Sequence, residues 1–342
     1  MLSGGKAYRF QNSQQDWQDK ALVLLEDKPL LVHVIKNITD VVDEVIVCVN
    51  NDERKTKYLE VLEKHNLRVK IVVDEKTVIG GPNVAILSGL KATQTDFCIT
   101  IPCDMPFVKP KVVDYLFNIS EGFDVVIPMW PNGTIETLIM VLQHTIGMEI
   151  VQTLCQLKRP RPSDIPRAAP RTLLASPLKT IKTLDPNLKS FININTQEEL
   201  RKPQTRNTQG PIQQNVELNQ EDFQVSDLQL MYNAAKRYQE NKFIMTYEKF
   251  NLCKKHFEDR NNFFWAALAN ENKGKTLLKQ TQLQKETKPQ TTLEFEFKYK
   301  EAFSNAVLNY HKEAKLYEKH FCLRLLERTI ADKDHIKTRF AI

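Results

Sequence analysis

Near its start the chain reads Leu2-Ser3-Gly4-Gly5-Lys6-Ala7-Tyr8-Arg9-Phe10, and Asp19-Lys20-Ala21-Leu22 follows. Adjacent glycines after a strand let backbone N–H groups approach a polyphosphate, while Arg9 and Lys20 bring cationic charge to where negative charge would collect. A glycine pair alone is ordinarily a turn. Here it shares the chain with a second constellation, Phe97-Cys98-Ile99-Thr100-Ile101-Pro102-Cys103-Asp104-Met105-Pro106. This is an apolar run that ends in a carboxylate and a proline turn. A carboxylate at the C-terminal edge of a parallel sheet lies where open α/β folds bind ligands, and its hard oxygens suit Mg²⁺ held partly by substrate phosphates. The competing role for Asp104 is to cap the helix that follows. Together these groups suit binding of a triphosphate with its metal, with Lys20, Arg9 and Asp104 as the catalytic candidates.

The elements that must position these groups follow from the apolar periodicity. Short runs rich in Val and Ile alternate with helix-length amphipathic segments from residue 22 to about 130, the pattern of βαβ units around a parallel sheet. Strands are expected at Glu44–Val49, Val69–Val73, Asp96–Ile101 and Asp124–Pro128, buried on both faces because they are nearly all apolar. Helical spacing covers Thr56–His65 and Gly81–Ala92, and Pro29 and Pro110 sit where helices tend to start. Lys189–Asn195 reads as extended, with Thr196 as the N-cap of a short helix. Lys158–Pro177, rich in Pro and Arg, reads as a loop, and the Gln-, Asn-, Thr- and Pro-rich Lys202–Gln220 as an interdomain linker. Beyond it, Val225–Phe257 and Phe297–Ala331 are helical, separated by a polar stretch around Lys273–Pro289. Ala235, Tyr238 and Tyr247, with Ala306, Tyr310 and Ala314, are spaced somewhat as in tetratricopeptide hairpins; an irregular helical bundle is the other reading. The expected architecture is α/β, a three-layer, mostly parallel sheet over residues 1–203, a linker at 204–222 and an all-α domain at 223–342.

Composition narrows the class. The 342 residues are 42% hydrophobic and 26% charged, enough for a sizeable core divided between two domains. A net charge of +6 without a long Lys/Arg run argues against nucleic acid as the partner. The six cysteines lack C-x-x-C spacing and read as reduced thiols. The sequence shows neither an apolar run of membrane-spanning length nor a signal-peptide pattern, so no membrane partner and a cytoplasmic location are expected. His33, His65 and His144 have no companion ligands at metal spacing and are given no role.

Taken in order, L-x-G-G-x-x-x-R-F, D-K-A-L with Lys28-Pro29-Leu30, Gly81-Pro82 before Leu87-Ser88-Gly89-Leu90, Pro102-Cys103-Asp104-Met105-Pro106-Phe107, Trp130-Pro131-Asn132-Gly133 with Glu136, and Asn193-Ile194-Asn195-Thr196 resemble the molybdenum cofactor guanylyltransferase family. That family lies within the glycosyltransferase-A-like, MobA-like nucleotidyltransferases, and the resemblance covers residues 1 to about 200. It implies transfer of GMP from GTP to molybdenum-bearing molybdopterin, with release of pyrophosphate. By the same resemblance Leu2, Ser3, Gly4 and Gly5 with Lys20 contact the nucleotide, Asn50 and Asp74 lie along the guanosine, and Asp104 holds Mg²⁺. Asn193 and Asn195 then close the metal and acceptor side, and Trp130–Glu136 forms an acceptor lid. The attacking phosphate is ionised near neutral pH, so no general base is assigned. The basic loop of Lys158, Arg159, Arg161, Arg167 and Arg171 either receives the anionic pterin, by bidentate guanidinium contacts, or is a solvated surface loop.

Two features depart from the family pattern. Only Met1, Leu2 and Ser3 precede the glycines, where the family has a full first strand, so the neighbours of that strand are expected to lose hydrogen bonds and expose apolar area. Gln11–Gln18 also lengthens the phosphate loop. The alternatives are a cytidylyltransferase or a nucleotidyltransferase for a sugar or alcohol phosphate, and a non-catalytic scaffold built on this fold. In the guanylyltransferase reading the appended helical region is expected to dock a molybdoenzyme or another protein partner, or to mediate self-association.

Overall fold

A computed structural model describes residues 1–4, 19–76, 79–204, 206–285 and 292–340. A tight hairpin, β1 (Leu24–Leu25) and β2 (Lys28–Pro29), turns on Glu26 and Asp27, both at positive φ as two-residue hairpin turns require. It delivers the chain to α1 (Leu30–Ile38), whose start at Pro29 is as expected. There follow β3 (Ile46–Val49), α2 (Asp52–Lys64), β4 (Lys70–Val73), α3 (Pro82–Ala92), β5 (Phe97–Thr100) and α4 (Pro110–Asn118). Helix α2 begins four residues earlier than the periodicity suggests, because Asn51 caps it by accepting from the Arg54 amide at 2.8 Å. Next come β6 (Val125–Pro128), β7 (Met140–Gln143), α5 (His144–Gln156), α6 (Ile165–Ala168), β8 (Arg171–Ala175), α7 (Lys182–Leu184), α8 (Gln197–Arg201) and β9 (Val216–Asn219).

β3 and β4 pair in parallel, and a five-stranded sheet runs β5-β7-β6-β8-β9. Met1–Ser3 joins the two: Leu2 forms parallel bridges to Cys48 and to Pro102. Its amide donates to the Ile101 carbonyl at 2.9 Å, and its carbonyl accepts from Cys103 at 3.1 Å. The central strand is therefore a single rung. The Met1 ammonium, its pKa lowered by burial, donates to the Ile46 carbonyl at 2.6 Å. Beside that rung, between β3 and β5, lies a cavity of about 400 Å³ walled by Val45, Ile46, Ile86, Leu90, Phe97 and Ile99.

The sheet is mixed where a mostly parallel one was expected. β7 lies antiparallel between β5 and β6, and β9 antiparallel to β8. β7 returns from β6 without a crossover helix, so only the antiparallel sense is open to it. Side chains alternate between two covered faces. Ile46, Cys48, Val125, Ile127, Met140 and Leu142 point to one core, with α3 and α5. Val47 and Val49 point to a second core with α1 and α2, and Val126, Val141 and Leu173 to a third patch that includes α4. This is the expected three-layer arrangement.

Three further expectations are corrected. Arg171–Ala175, inside the presumed loop, is β8, an interior strand paired with β6 and β9. Residues 216–219, inside the presumed linker, form the edge strand β9. The extended Lys189–Asn195 opens with a 3₁₀ turn at Lys189–Phe191. The C-terminal region is helical, with α9 (Val225–Gln239), α10 (Phe243–Asp259), α11 (Phe263–Lys285), α12 (Thr292–Lys319) and α13 (Leu323–Phe340). Much of the polar stretch from Lys273 is thus helix, the second half of α11. Asn241, Asn261 and Phe321 take left-handed φ just after α9, α10 and α12, which ends each helix and reverses the chain.

This region shares its core with the sheet. Ile150, Leu154, Ile165 and Ala168 pack in one continuous cluster with Leu228, Phe257, Phe264 and Trp265, and the Trp265 indole donates to the Ala168 carbonyl at 2.8 Å. Arg167, fully buried, forks onto Glu313 at 2.7 and 3.0 Å and reaches Asp164 at 2.9 Å and Asp332 at 2.8 Å. Arg159 joins Asp332 at 2.5 Å. Burial opposes the charge of Asp332, yet Arg159 and Arg167 hold its carboxyl down to about 2. Arg171 turns instead to Asp124, its amide donating at 2.8 Å. The guanidinium groups of Arg159 and Arg167 are therefore engaged in structural ion pairs, while that of Arg171 is about half exposed. Removing one partner of such a buried network leaves the others as uncompensated charges. Arg167→Ala should cost about 3–5 kcal/mol in urea-unfolding free energy; a loss under about 1 kcal/mol, the range of exposed pairs, would show the network to be dispensable.

Candidate active site

The C-terminal ends of the strands converge on one edge. Gly4 leaves the central rung between Asn50, which follows β3, and Asp74, which follows β4. A Cβ on Gly4 would stand 3.2 Å from Asp74 Oδ2, a tight contact, and 3.7 Å from Asn50 Cβ, so the backbone passes close to both side chains. Ser3 is anchored three ways: its amide donates to the Cys48 carbonyl at 3.0 Å, its carbonyl accepts from Arg54 Nη1 at 2.9 Å, and its hydroxyl lies 2.7 Å from Tyr58 Oη. Tyr58 in turn donates to the Asp19 carboxylate at 3.1 Å, and Arg54 Nε pairs with the same carboxylate at 2.7 Å. Burial, with Cys103 and Asp19 adding to it, pushes the Tyr58 phenol far up, so it stays a donor. Arg54 and Tyr58, four residues apart on one face of α2, thus brace the start of the chain against the turn that carries Lys20.

Asp19 caps that turn, a 3₁₀ turn at Lys20–Leu22. The Lys20 ammonium pairs with Asp104 and donates to Asn195 Oδ1 at 3.0 Å. Asp104 caps no helix: the next one, α4, begins six residues on at Pro110, with Lys109 as its N-cap. The Asp104 carbonyl instead accepts the Ile194 amide at 2.9 Å, which fastens Asn193–Asn195 beside it. Along that segment Ile192 and Ile194 are buried while Asn193 and Asn195 are half-buried, so the two asparagines share the outward side. Asn195 is held from behind: its amide donates to Glu199, whose own amide donates to the N-cap Thr196 at 3.1 Å.

Among the described residues, two buried carboxylate oxygens on this edge, Asp74 Oδ1 and Asp104 Oδ1, lack a hydrogen-bond partner. Buried polar oxygens are normally satisfied, so each is an acceptor waiting for a donor or a cation. Burial raises the Asp74 carboxyl to about 6, against a smaller opposing pull from Arg54. No cluster of three or more His, Cys, Asp or Glu able to hold a metal occurs among the described residues. One carboxylate and one amide oxygen, Asp104 and Asn195, suit Mg²⁺, which takes few protein ligands and keeps substrate phosphates and water for the rest.

The structure brings Leu2, Ser3, Gly4, Lys20, Asn50, Asp74, Asp104, Asn193 and Asn195 to one sheet edge, as the sequence suggested. Gly5, Arg9 and the Gln11–Gln18 link lie outside the described residues. Trp130 and Glu136, expected in a lid, are buried: the indole donates to Glu136 Oε1 at 2.6 Å and the ring meets Phe191 edge-on at 5.5 Å. Arg54 and Tyr58 escaped sequence reading because the first turn of α2 went unrecognised. Their i, i+4 spacing directly after a strand ending in Asn50 was the available signal.

Residues 1–164 match the model of the MobA-like NTP transferase domain. The chain is 31% identical over 201 residues to a probable molybdenum cofactor guanylyltransferase of Methanosarcina mazei, covering 58% of this chain and 86% of that protein. A probable molybdenum cofactor guanylyltransferase of Methanosarcina acetivorans is 32% identical over 203 residues, with the same shares of the two chains. Among solved structures, molybdopterin-guanine dinucleotide biosynthesis protein A of Archaeoglobus fulgidus aligns with a TM-score of 0.48 and 21% identity, over 58% of this chain and 93% of that one. Among the described residues, no helix is long and apolar enough to cross a membrane.

The brace of Ser3, Tyr58 and Asp19 carries its own expectation. Tyr58→Phe keeps the ring and removes the hydroxyl that links the two, which should lower stability by about 1–3 kcal/mol by stranding buried acceptors. Thermal melts unchanged within error would mean that the link contributes nothing.

Proposed function

The chain belongs to the molybdenum cofactor guanylyltransferase family, and from that premise we propose that it moves GMP from GTP to molybdenum-bearing molybdopterin, releasing pyrophosphate. The observation that carries this reading is the joint placement of Lys20, Asp104 and Asn195 on the edge where Gly4 passes between Asn50 and Asp74. The described backbone of Leu2, Ser3 and Gly4 then lies against the nucleotide, and Asn50 and Asp74 along the guanosine. Guanine presents adjacent N–H donors on one edge, for which a carboxylate with a free buried oxygen is a fitting acceptor. A site built to accept those donors discriminates against bases that lack them.

In transfer, the terminal phosphate of the pterin attacks the α-phosphorus in line, so the protein has to align two anions and offset their charge. Lys20 neutralises phosphate charge. Asp104 and Asn195 would hold Mg²⁺, which when bound supplies Lewis-acid stabilisation of the phosphates. Asn193, on the same side of its segment, faces the acceptor. No side chain is needed as a base for an attacking group already ionised at neutral pH. Arg9 and Gly5 are proposed to extend the phosphate grip.

The test is pyrophosphate release by purified protein with Mg²⁺ and molybdate-loaded molybdopterin, comparing GTP, CTP and ATP. Turnover is expected with GTP, and Asp104→Ala should lower it on the order of 10²-fold or more. Preference for CTP would move the chain to the cytidylyl branch of the chemistry, and equal rates in the variant would sink the role of Asp104. The raised Asp74 carboxyl adds a pH signature. It is ionised above about 6 and protonated below, so GTP affinity should fall as pH drops through about 6. In Asp74→Asn the affinity should be weaker at neutral pH and flat across that interval; a wild-type profile without the step would remove Asp74 from the base contact.

A further inference from the structure

The loop joining β6 to β7, Trp130–Glu136, is gripped from outside the sheet at three points. The α12–α13 turn meets it backbone to backbone: the Arg324 amide, one of the N–H groups left free at the start of α13, donates to the Gly133 carbonyl at 3.1 Å. Gly133 has φ +80, and a Cβ there would fall 2.4 Å from the Phe321 carbonyl oxygen and 2.6 Å from the Leu323 nitrogen. The second grip is the segment before β9, where the Ile212 amide donates to the Pro131 carbonyl at 3.1 Å and Gly210 lies flat against Pro131. The third is Arg206, whose Nε and Nη2 fork onto Glu136 at 3.0 and 3.2 Å. Bidentate pairs of this kind fix orientation as well as charge.

The base of the same loop packs against segments that lead to the candidate site. Leu138, just beyond it, accepts from Thr100 Oγ1 at 3.1 Å, on the strand that leads to Asp104. Trp130 packs on Phe191, two residues before Asn193. The loop therefore spans the two segments that carry Asp104 and the asparagines, while its tip is held by helices remote from both. Because α13 shares the core of the sheet domain through Leu325 and Ile336, the grip is rigid with respect to the sheet.

We propose that the α12–α13 turn and residues 206–212 form a clamp that pre-positions the Trp130–Glu136 loop for the acceptor substrate, with Gly133 and Arg206 as positioning residues. The C-terminal helices are thereby a working part of the acceptor site. A loop already ordered before binding spares the ordering cost that a mobile one would bear. The proposal rests on the guanylyltransferase reading for which substrate sits on the Asp104 side.

Gly133→Ala and Arg206→Ala test it in the full chain, with separate equilibrium titrations of GTP and molybdopterin and amide exchange over residues 131–136. Both variants should weaken molybdopterin binding about tenfold or more, leave GTP within about twofold, and speed exchange in the loop. Arg206 is half-exposed, so its removal keeps the test decisive even if Gly133→Ala fails to fold. Unchanged molybdopterin affinity, or equal losses for both ligands, would overturn the clamp. A wild-type chain that binds both ligands yet releases no pyrophosphate would defeat the transferase reading and leave the clamp standing. One that does not bind molybdopterin would overturn both.

Discussion

Much of this molecule hangs on the hydrogen bonds that Leu2 and its two neighbours make to strands on either side. Without that rung, β3 and β4 are a separate two-stranded piece, and Asn50 and Asp74 have no fixed relation to Asp104. The rung is short, so its position has to be set by more than a ladder. Arg54 and Tyr58 supply this from α2, holding the Ser3 carbonyl and hydroxyl and the Asp19 carboxylate at once. One helical turn thus couples the first residues of the chain to the turn bearing Lys20. Lys20 then closes the circuit onto Asp104 and Asn195.

The helical region stands in a similar relation to the sheet. Arg167, fully buried, and Arg159, partly buried, meet carboxylates from α12 and α13 beside the apolar cluster that runs through both. Such a network gains little over apolar packing, but it tolerates few alternative arrangements, because any slip strands a charge. It fixes where α12 and α13 lie against the sheet, and hence where the turn between them meets Gly133. Backbone contact at that turn and side-chain charge in the core are then two consequences of one docking geometry.

What could be read from the sequence divides along the range of the interactions. Asp104 was legible because a buried strand followed by Asp and a proline turn is a local pattern. So was the Thr196 cap, which lies beside its partner Glu199. β8 was not, since Pro170 and Pro177 bracket it and arginines flank it, and those features signal loops unless a neighbouring strand is known. The roles of Arg159 and Arg167 were out of reach for another reason: their partners Glu313 and Asp332 lie 146 to 173 residues further on. In α11, Asn270, Thr276 and Thr281 are polar yet buried, each returning its side chain to a carbonyl one turn back or to a neighbouring helix. Periodicity counts such residues as solvent-facing, which is why the second half of that helix read as a break.

The electrostatics of the edge follow from the same constraints. Asp19 is satisfied by Arg54 and Tyr58, and Glu136 by Arg206 and Trp130, so those two carboxylates are structural. Among the described residues Asp104 pairs with Lys20 through one oxygen, and at Asp74 burial outweighs the pull of Arg54. Among the described residues of this edge, the buried carboxylate oxygens without a partner are those of Asp74 and Asp104, one on each side of the central rung. A bare carboxylate held in that state costs stability, and a fold retains it where a ligand relieves the cost. On the proposed function, a base with N–H donors would relieve Asp74, and a cation brought in with phosphates would relieve Asp104. In the proposed reaction both kinds of relief would come from one molecule, a nucleoside triphosphate with its metal.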